Sequence, residues 1–396
     1  MKKILFVAAL ATLLAVGCQK TEIINQVNPD GMAMTFSTDI AKLTKADEPN
    51  DATLKEQGFK LTAINAYDDN YTTNLEFNTV YYEMNNLQFK HDKDNGWKIT
   101  NNQSYFWPGS RKDLVFLAIS SSKADIKIPE IVEGGFGLTG NKVKERIAYE
   151  NVKVNGFTIA YESESAKYEK AEGADTPTQT SPNDDLMISD VVIQNQDDAP
   201  DGGKKGQVNL DFKHVLSKVQ FAFMTSSSTV GKYPVKVTSL KISNLVTEGT
   251  LEVAVDLSEN RTAANVYDWS PENNDTQYAP AALEGEGEDF IVGYELTIDA
   301  FEKTNANQYA EWLVIPQDIT GKMVTIEYEI TDKESDPNNP KKFTSVWPLD
   351  TEKLNAWERN QFIRYTVTLS PNIIEFNPTV NEGWESPEKG DVDLDN

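Results

Sequence analysis

Thiols and imidazoles are almost missing from this chain. Its 396 residues include one cysteine, Cys18, and two histidines, His91 and His214. If Cys18 is consumed elsewhere, no disulfide, zinc-thiolate site or cysteine nucleophile can be built, and stability must come from packing. The histidines lie far apart and neither stands in a metal-ligand spacing. No G-x-S-x-G, H-E-x-x-H or phosphate-loop pattern occurs. Positive charge is also scarce: 37 Lys and Arg against 62 Asp and Glu leave a net charge of -25. That balance excludes nucleic acid and anionic membrane as natural partners and favours solubility outside the cell. Beyond the first residues no apolar run is long enough to cross a bilayer.

What is present begins at the amino terminus. Lys2 and Lys3 precede the apolar run Ile4 to Leu14, and Leu14-Ala15-Val16-Gly17 leads into Cys18. A basic start, a short apolar core and small residues before a cysteine form a signal peptide with a lipobox-like end. The freed Cys18 thiol is the expected lipidation site, because two or more acyl chains give stable anchoring. An ordinary signal peptide with an incidental cysteine and a transmembrane anchor are the competing readings. The run falls short of the roughly 20 residues that a span needs. Residues 1–18 are thus read as signal and 19–31 as a flexible polar tether.

The rest reads as all-β. Met34 to Ile40 gives a short strand, followed by Lys42, Lys45 and an acidic loop. Strands rich in β-branched and aromatic residues are predicted at Phe59 to Tyr67, Leu75 to Tyr82, Leu87 to Lys90, Trp97 to Thr100, Leu114 to Ile119 and Leu186 to Ile193. Asn95-Gly96 suits the tight turn of a hairpin. The second half repeats the style at Val208 to Phe212, Val219 to Phe223, Val235 to Ser243, Thr250 to Asp256, Phe290 to Ile298, Glu311 to Ile315, Met323 to Ile330, Phe343 to Trp347, Phe362 to Leu369 and Ile373 to Phe376. Helix is expected only at Asn141 to Ala148 and Leu354 to Glu358. Many short strands with frequent turns predict β-sandwiches, two in tandem, at 32–205 and 206–384, with an acidic tail at 385–396. The boundary is placed in the Pro- and Gly-containing stretch Gln194 to Gly206.

Chemical candidates are weak. Gly135, Gly137 and Gly140 match a dinucleotide fingerprint only formally, being preceded by Pro129 outside any alternation of strands and helices. Asp184-Asp185 and Asp197-Asp198 read as solvated loop charges, and His214 as structural. Asp391, Asp393 and Asp395 lack the glycine and terminal glutamate of a calcium loop. Trp107, Trp312 and Trp347 border strands, where core filling competes with service as sugar-stacking platforms. No catalytic residue, cofactor or metal site is nominated.

Several stretches together resemble a family. The lipobox, Met34 to Ile40 with Thr44-Lys45-Ala46, Tyr105-Phe106-Trp107-Pro108, Asp184-Asp185-Leu186-Met187-Ile188, Phe212-Lys213-His214-Val215-Leu216-Ser217-Lys218-Val219, Tyr365 to Leu369 and Ile373 to Phe376 occur in the order found in the Bacteroidetes fimbrillins. The resemblance implies two transthyretin-like sandwiches and a subunit of type V pili, the fimbriae of cell adhesion. It implies a lipoprotein precursor at the outer membrane, cut after a basic residue behind its first strand. A strand from another pilus subunit then fills the vacated groove. Carried over, the lost strand is Met34 to Ile40 and the cut follows Lys45, with Lys42 the alternative. The family commonly has arginine there, so an arginine-only protease would not act. Partners are other subunits and a receptor on a host or bacterial surface. A surface glycan-binding lipoprotein that keeps its first strand is the alternative.

Overall fold

The computed structural model describes residues 31–40, 52–65, 74–76, 84–130, 138–142, 149–162, 166–169, 178–179, 184–199, 203–224, 233–257, 263–271, 281–283, 309–369 and 374–382, apart from residues 95, 102, 109–112, 155, 234, 243, 333 and 335 within those spans. The fold is all-β, as expected. Its organising element is an eight-stranded sheet at whose centre runs Leu114–Ser120. All seven residues of that strand are buried, because apolar layers cover both faces of the sheet. Leu114, Phe116 and Ala118 point into one core, and Val115, Leu117 and Ile119 into another. Phe59–Asn65 lies on one side of it, and Met187–Ser189 and then Gln207–His214 on the other. The hairpin of Leu87–Asp92 and Gly96–Ile99 continues one end, with Gly96 at φ 72°, as the predicted turn requires. The first strand, Thr35–Ile40, ends the sheet on the other side.

That sheet curls. Phe36 of the first strand touches Phe89 of the hairpin at 5.1 Å, and Phe59 meets Phe212 at 5.4 Å across the same core. The opposite face packs on a three-stranded sheet of Phe157–Glu162, Glu248–Leu257 and Ala263–Pro271, which supplies Phe157, Ile159, Leu251 and Val253. A third core lies between the sheet of Val235–Ile242, Met323–Asp332 and Asp336–Pro348 and that of Tyr309–Val314, Ser217–Met224, Gln361–Leu369 and Ile374–Glu382. Strict alternation in Met323–Asp332 gives its own sheet an inner apolar face.

Several local expectations need correction. Strand pairing crosses the boundary drawn at residue 205 in several places, among them Ala166–Glu169 beside Ala281–Leu283. Gln207–His214 belongs to the first sheet, and Phe157–Glu162 pairs with Glu248–Leu257. The sheets change between His214 and Ser217 instead. The described residues of the 194–206 stretch are tied down: Asn195 Nδ2 donates to the buried Asp113 at 2.9 Å, and Gln194 Nε2 donates to the Gln207 carbonyl at 2.7 Å. Asn141 lies in strand Leu138–Lys142 rather than in a helix. Within Leu354 to Glu358, Ala356–Trp357 pairs with Gln317–Asp318, because the Trp357 ring is drawn into the core, where its indole N–H reaches Tyr365. Among the described residues a helix forms at Ala52–Gln57, where none is expected. Its single apolar anchor is Leu54, and it stops at Gly58 (φ 73°), whose N–H reaches the Leu54 carbonyl at 2.8 Å. The predicted strand Phe290 to Ile298 lies outside the described residues.

Two outcomes follow from this packing. A Cβ on Gly58 would stand 2.2 Å from the Phe89 carbonyl oxygen in a left-handed backbone. Gly58→Ala is therefore expected to lose about 2 kcal/mol or more in urea denaturation. Burial pushes the Tyr365 phenol far above its ordinary range. Its neutral form is thus favoured by folding, so this contribution is intact below the unfolded tyrosine value of about 10 and is lost as pH rises beyond it. Tyr365→Phe should show a shallower loss of stability between neutral and strongly alkaline pH, read by thermal melts.

Candidate functional site

The first strand is the most unusual element of the fold. It pairs parallel to Gln207–His214, from Thr35 opposite Gln207 to Ile40 opposite Phe212, across more than 170 residues of intervening chain. Just before it, the chain is held on its other side as well: Trp107 N–H reaches the Met32 carbonyl, and Met34 N–H the Tyr105 carbonyl, both at 2.9 Å. Met34 and Phe36 are buried to 0% and 3% exposure and fill the curled core beside Phe89 and Phe116. Alternation places Thr38 on the same inward face. There it accepts a 2.8 Å hydrogen bond from Trp97 Nε1 of the hairpin, so the two ends of the sheet touch.

On the outward face Ser37 Oγ donates to Asn209 Oδ1 at 2.9 Å and accepts from Gln207 Nε2 at 2.8 Å. Gly206 (φ 72°) anchors the entrance, its carbonyl accepting from the Trp107 indole at 3.0 Å and from Thr35 N–H at 3.4 Å. A Cβ there would meet Met32 Sδ at 2.6 Å and Trp107 Nε1 at 2.9 Å. Sequence reading found the strand but missed its seat, because Trp97, Gly206 and Gln207 meet it only through the tertiary fold. The strand's alternation was the legible part.

Beneath the seat lies a buried polar knot. Asp184 and Asp185 are not solvated loop charges: they are 4% and 1% exposed. Asp184 accepts from the hydroxyls of Ser121 and Ser122, each at 2.8 Å. The Asp185 carboxylate sits 3.0 Å from His214 Nδ1. Gln57 at the end of the helix clamps the Asp185 backbone, donating to its carbonyl at 2.9 Å and accepting from its N–H at 3.1 Å. Desolvation lowers the pKa of nearby Lys60, whose ammonium donates to the Ala124 and Ile126 carbonyls. These groups splice the end of Gln207–His214 to the strand before it and to the helix.

Cys18, Lys42 and Lys45 lie outside the described residues. Trp107 is buried, so its ring face is closed to a sugar. Trp347 packs against the third core, and the side chain of Trp312 lies outside the described residues. Gly140 falls in a strand, where a dinucleotide fingerprint would open a helix. Among the described residues no cluster of His, Cys, Asp and Glu is arranged to hold a metal ion.

Fold and seat define an all-β protein of stacked sheets whose leading strand completes the first core from the sheet edge. The fimbrillin-like family model matches residues 44–384, and the chain belongs to that family. No curated protein matches the chain. Its fold is similar to that of a candidate cell adhesion protein from Bacteroides uniformis, at 13% identity and TM-score 0.46 over 90% of this chain and 99% of that one. It is likewise similar to a fimbrial protein from Bacteroides vulgatus, at 16% identity and TM-score 0.45 over 89% and 99% of the two chains.

Removing His214 would leave the buried Asp185 carboxylate without this partner. His214→Ala is expected to cost about 1–3 kcal/mol. Chemical denaturation should show the midpoint lowered with an unchanged slope.

Proposed function

We propose that this chain is a subunit of a surface fimbria that polymerises by exchanging its first strand for a strand of a neighbouring subunit. The observation that carries this reading is the seat itself. Thr35–Ile40 is edge-mounted and, with Met34 just before it, supplies two large side chains to the core. One cut in residues 41–51 would detach it together with everything before it. An emptied seat would expose the inward face of Val208, Leu210 and Phe212 and the unpaired edge of their strand. Losing Met34 and Phe36 alone uncovers surface worth about 1.5–3 kcal/mol for each side chain, and the bare backbone adds to that. Strand addition from another subunit satisfies both deficits at once.

The precursor is a lipoprotein held at the outer membrane through lipid on Cys18, and cutting follows Lys45, with Lys42 as the alternative. The subunit supplies packing and adhesion to a receptor on a host or bacterial surface, and performs no chemistry of its own. Membership of the fimbrillin-like family supports the reading. Strand Ile374–Glu382 pairs with Gln361–Leu369 along its whole length and belongs to its own sandwich. The donor therefore lies elsewhere.

The test is limited trypsin digestion of the purified mature chain, followed by mass spectrometry and sizing. Cleavage after Lys45 or Lys42 with loss of residues 31–40 and growth of ladders is the expected result. A cut chain that keeps its first strand and stays monomeric would refute strand exchange. In cells, Cys18→Ser should abolish incorporation of labelled palmitate.

A further inference from the structure

An apolar groove would be satisfied by Met34 and Phe36 alone, yet the two residues after Phe36 are met by polar groups set in advance. The Trp97 ring is 5% exposed and wedged between Phe59 at 4.8 Å and His91 at 5.1 Å, so the direction of its N–H is fixed by packing. That N–H points at Thr38 Oγ1. The Gln207 side chain is oriented from its other end, since its Oε1 accepts from Lys204 N–H at 3.1 Å, which turns its Nε2 toward Ser37. The Ser37 hydroxyl both accepts from that amide and donates to Asn209. Neither polar contact is needed to fill space.

We propose that the seat reads the side chains of the strand that occupies it. It selects an extended strand with a large apolar residue at the Met34 position, an aromatic at Phe36, a hydroxyl at Ser37 and a hydrogen-bond acceptor at Thr38. This inference rests on the strand-exchange reading and specifies the chemistry of the strand that a second subunit must offer.

The polar pair solves a problem that the apolar pocket cannot. A slip by one residue turns Phe36 out of the core and is rejected by the pleat alone. A slip by two residues keeps the same face inward, so alternation does not oppose it. It would place Phe36 or residue 40 against the indole N–H, leaving a buried donor without an acceptor. Trp97 therefore rejects even slips, and the pleat rejects odd ones. Together they leave a single register for a strand arriving from outside.

The test begins with hydrogen exchange on the intact full chain. Thr38→Val keeps the shape of the residue and removes the acceptor. It should speed exchange of the amides in Thr35–Ile40 about tenfold, the loss of one ordinary hydrogen bond, while Leu114–Ser120 stays unchanged. Trp97→Phe should do the same, and the double variant should be no worse than either single one. Ser37→Ala tests the Gln207 contact independently should Trp97→Phe fail to fold. Wild-type exchange in both Thr38→Val and Ser37→Ala would overturn the proposal. The trypsin-cut chain is then offered labelled synthetic peptides copying residues 31–40, with and without Thr38→Val. Capture of the unaltered peptide at least tenfold better is expected, and equal capture would overturn the proposal. If the first strand never leaves the cut chain, strand exchange fails, and the intact-chain exchange rates still decide whether the seat reads side chains.

Discussion

One parallel ladder, between Thr35–Ile40 and Gln207–His214, sets the terms for the first half of the molecule. The receiving strand is doubly committed: on its other edge it pairs with Met187–Ser189, and at its end His214 meets Asp185 in a buried contact. The seat is thus rigid where it joins the body of the sheet and open where the first strand lies. A wall fixed by a buried acid, an imidazole and the Gln57 clamp can stand while its neighbour changes. Parallel pairing adds nothing local to hold the first strand, since no short turn joins it to its partner. Its hold comes from Met34, Phe36 and a few hydrogen bonds.

Much of the sheet framework was legible because alternation and β-branched runs are local signals. Gln207–His214, Met323–Asp332 and Gln361–Leu369 follow the pattern that the sequence predicted, give or take their ends. Phe157–Glu162, short though strictly alternating, and Ala263–Pro271 were not recognised, and the first of these ties the halves together through Glu248–Leu257. The boundary error has the same origin. Proline, glycine and aspartate between residues 194 and 206 look like linker chemistry, whereas Asn195, Asp113 and Gln194 turn the stretch into a bound loop through contacts with distant partners.

The candidate site was legible in the same partial way. Phe36 and Met34 announced an amphipathic strand. Asp184 and Asp185 were misread because a charge pair in an acidic chain carries no mark of burial. Only the fold shows that two serines, a glutamine and a histidine converge on them. Trp97 likewise gives no hint in the sequence that its indole will face a threonine some sixty residues earlier.

The weave has a consequence for the order in which the protein comes together. Because Phe157–Glu162 waits for Glu248–Leu257, and the first strand waits for Gln207–His214, no leading portion of the chain is complete before the second half arrives. Long-range closures of this kind are slow. During that delay the central strand Leu114–Ser120, apolar at six of its seven positions, lacks Val208, Leu210 and Phe212 over one face and Leu251 and Val253 over the other. A net charge of -25 keeps such half-built copies apart by mutual repulsion. The acidity of the chain thus acts as a solubility guard over a core that is assembled late, before any two copies have reason to meet.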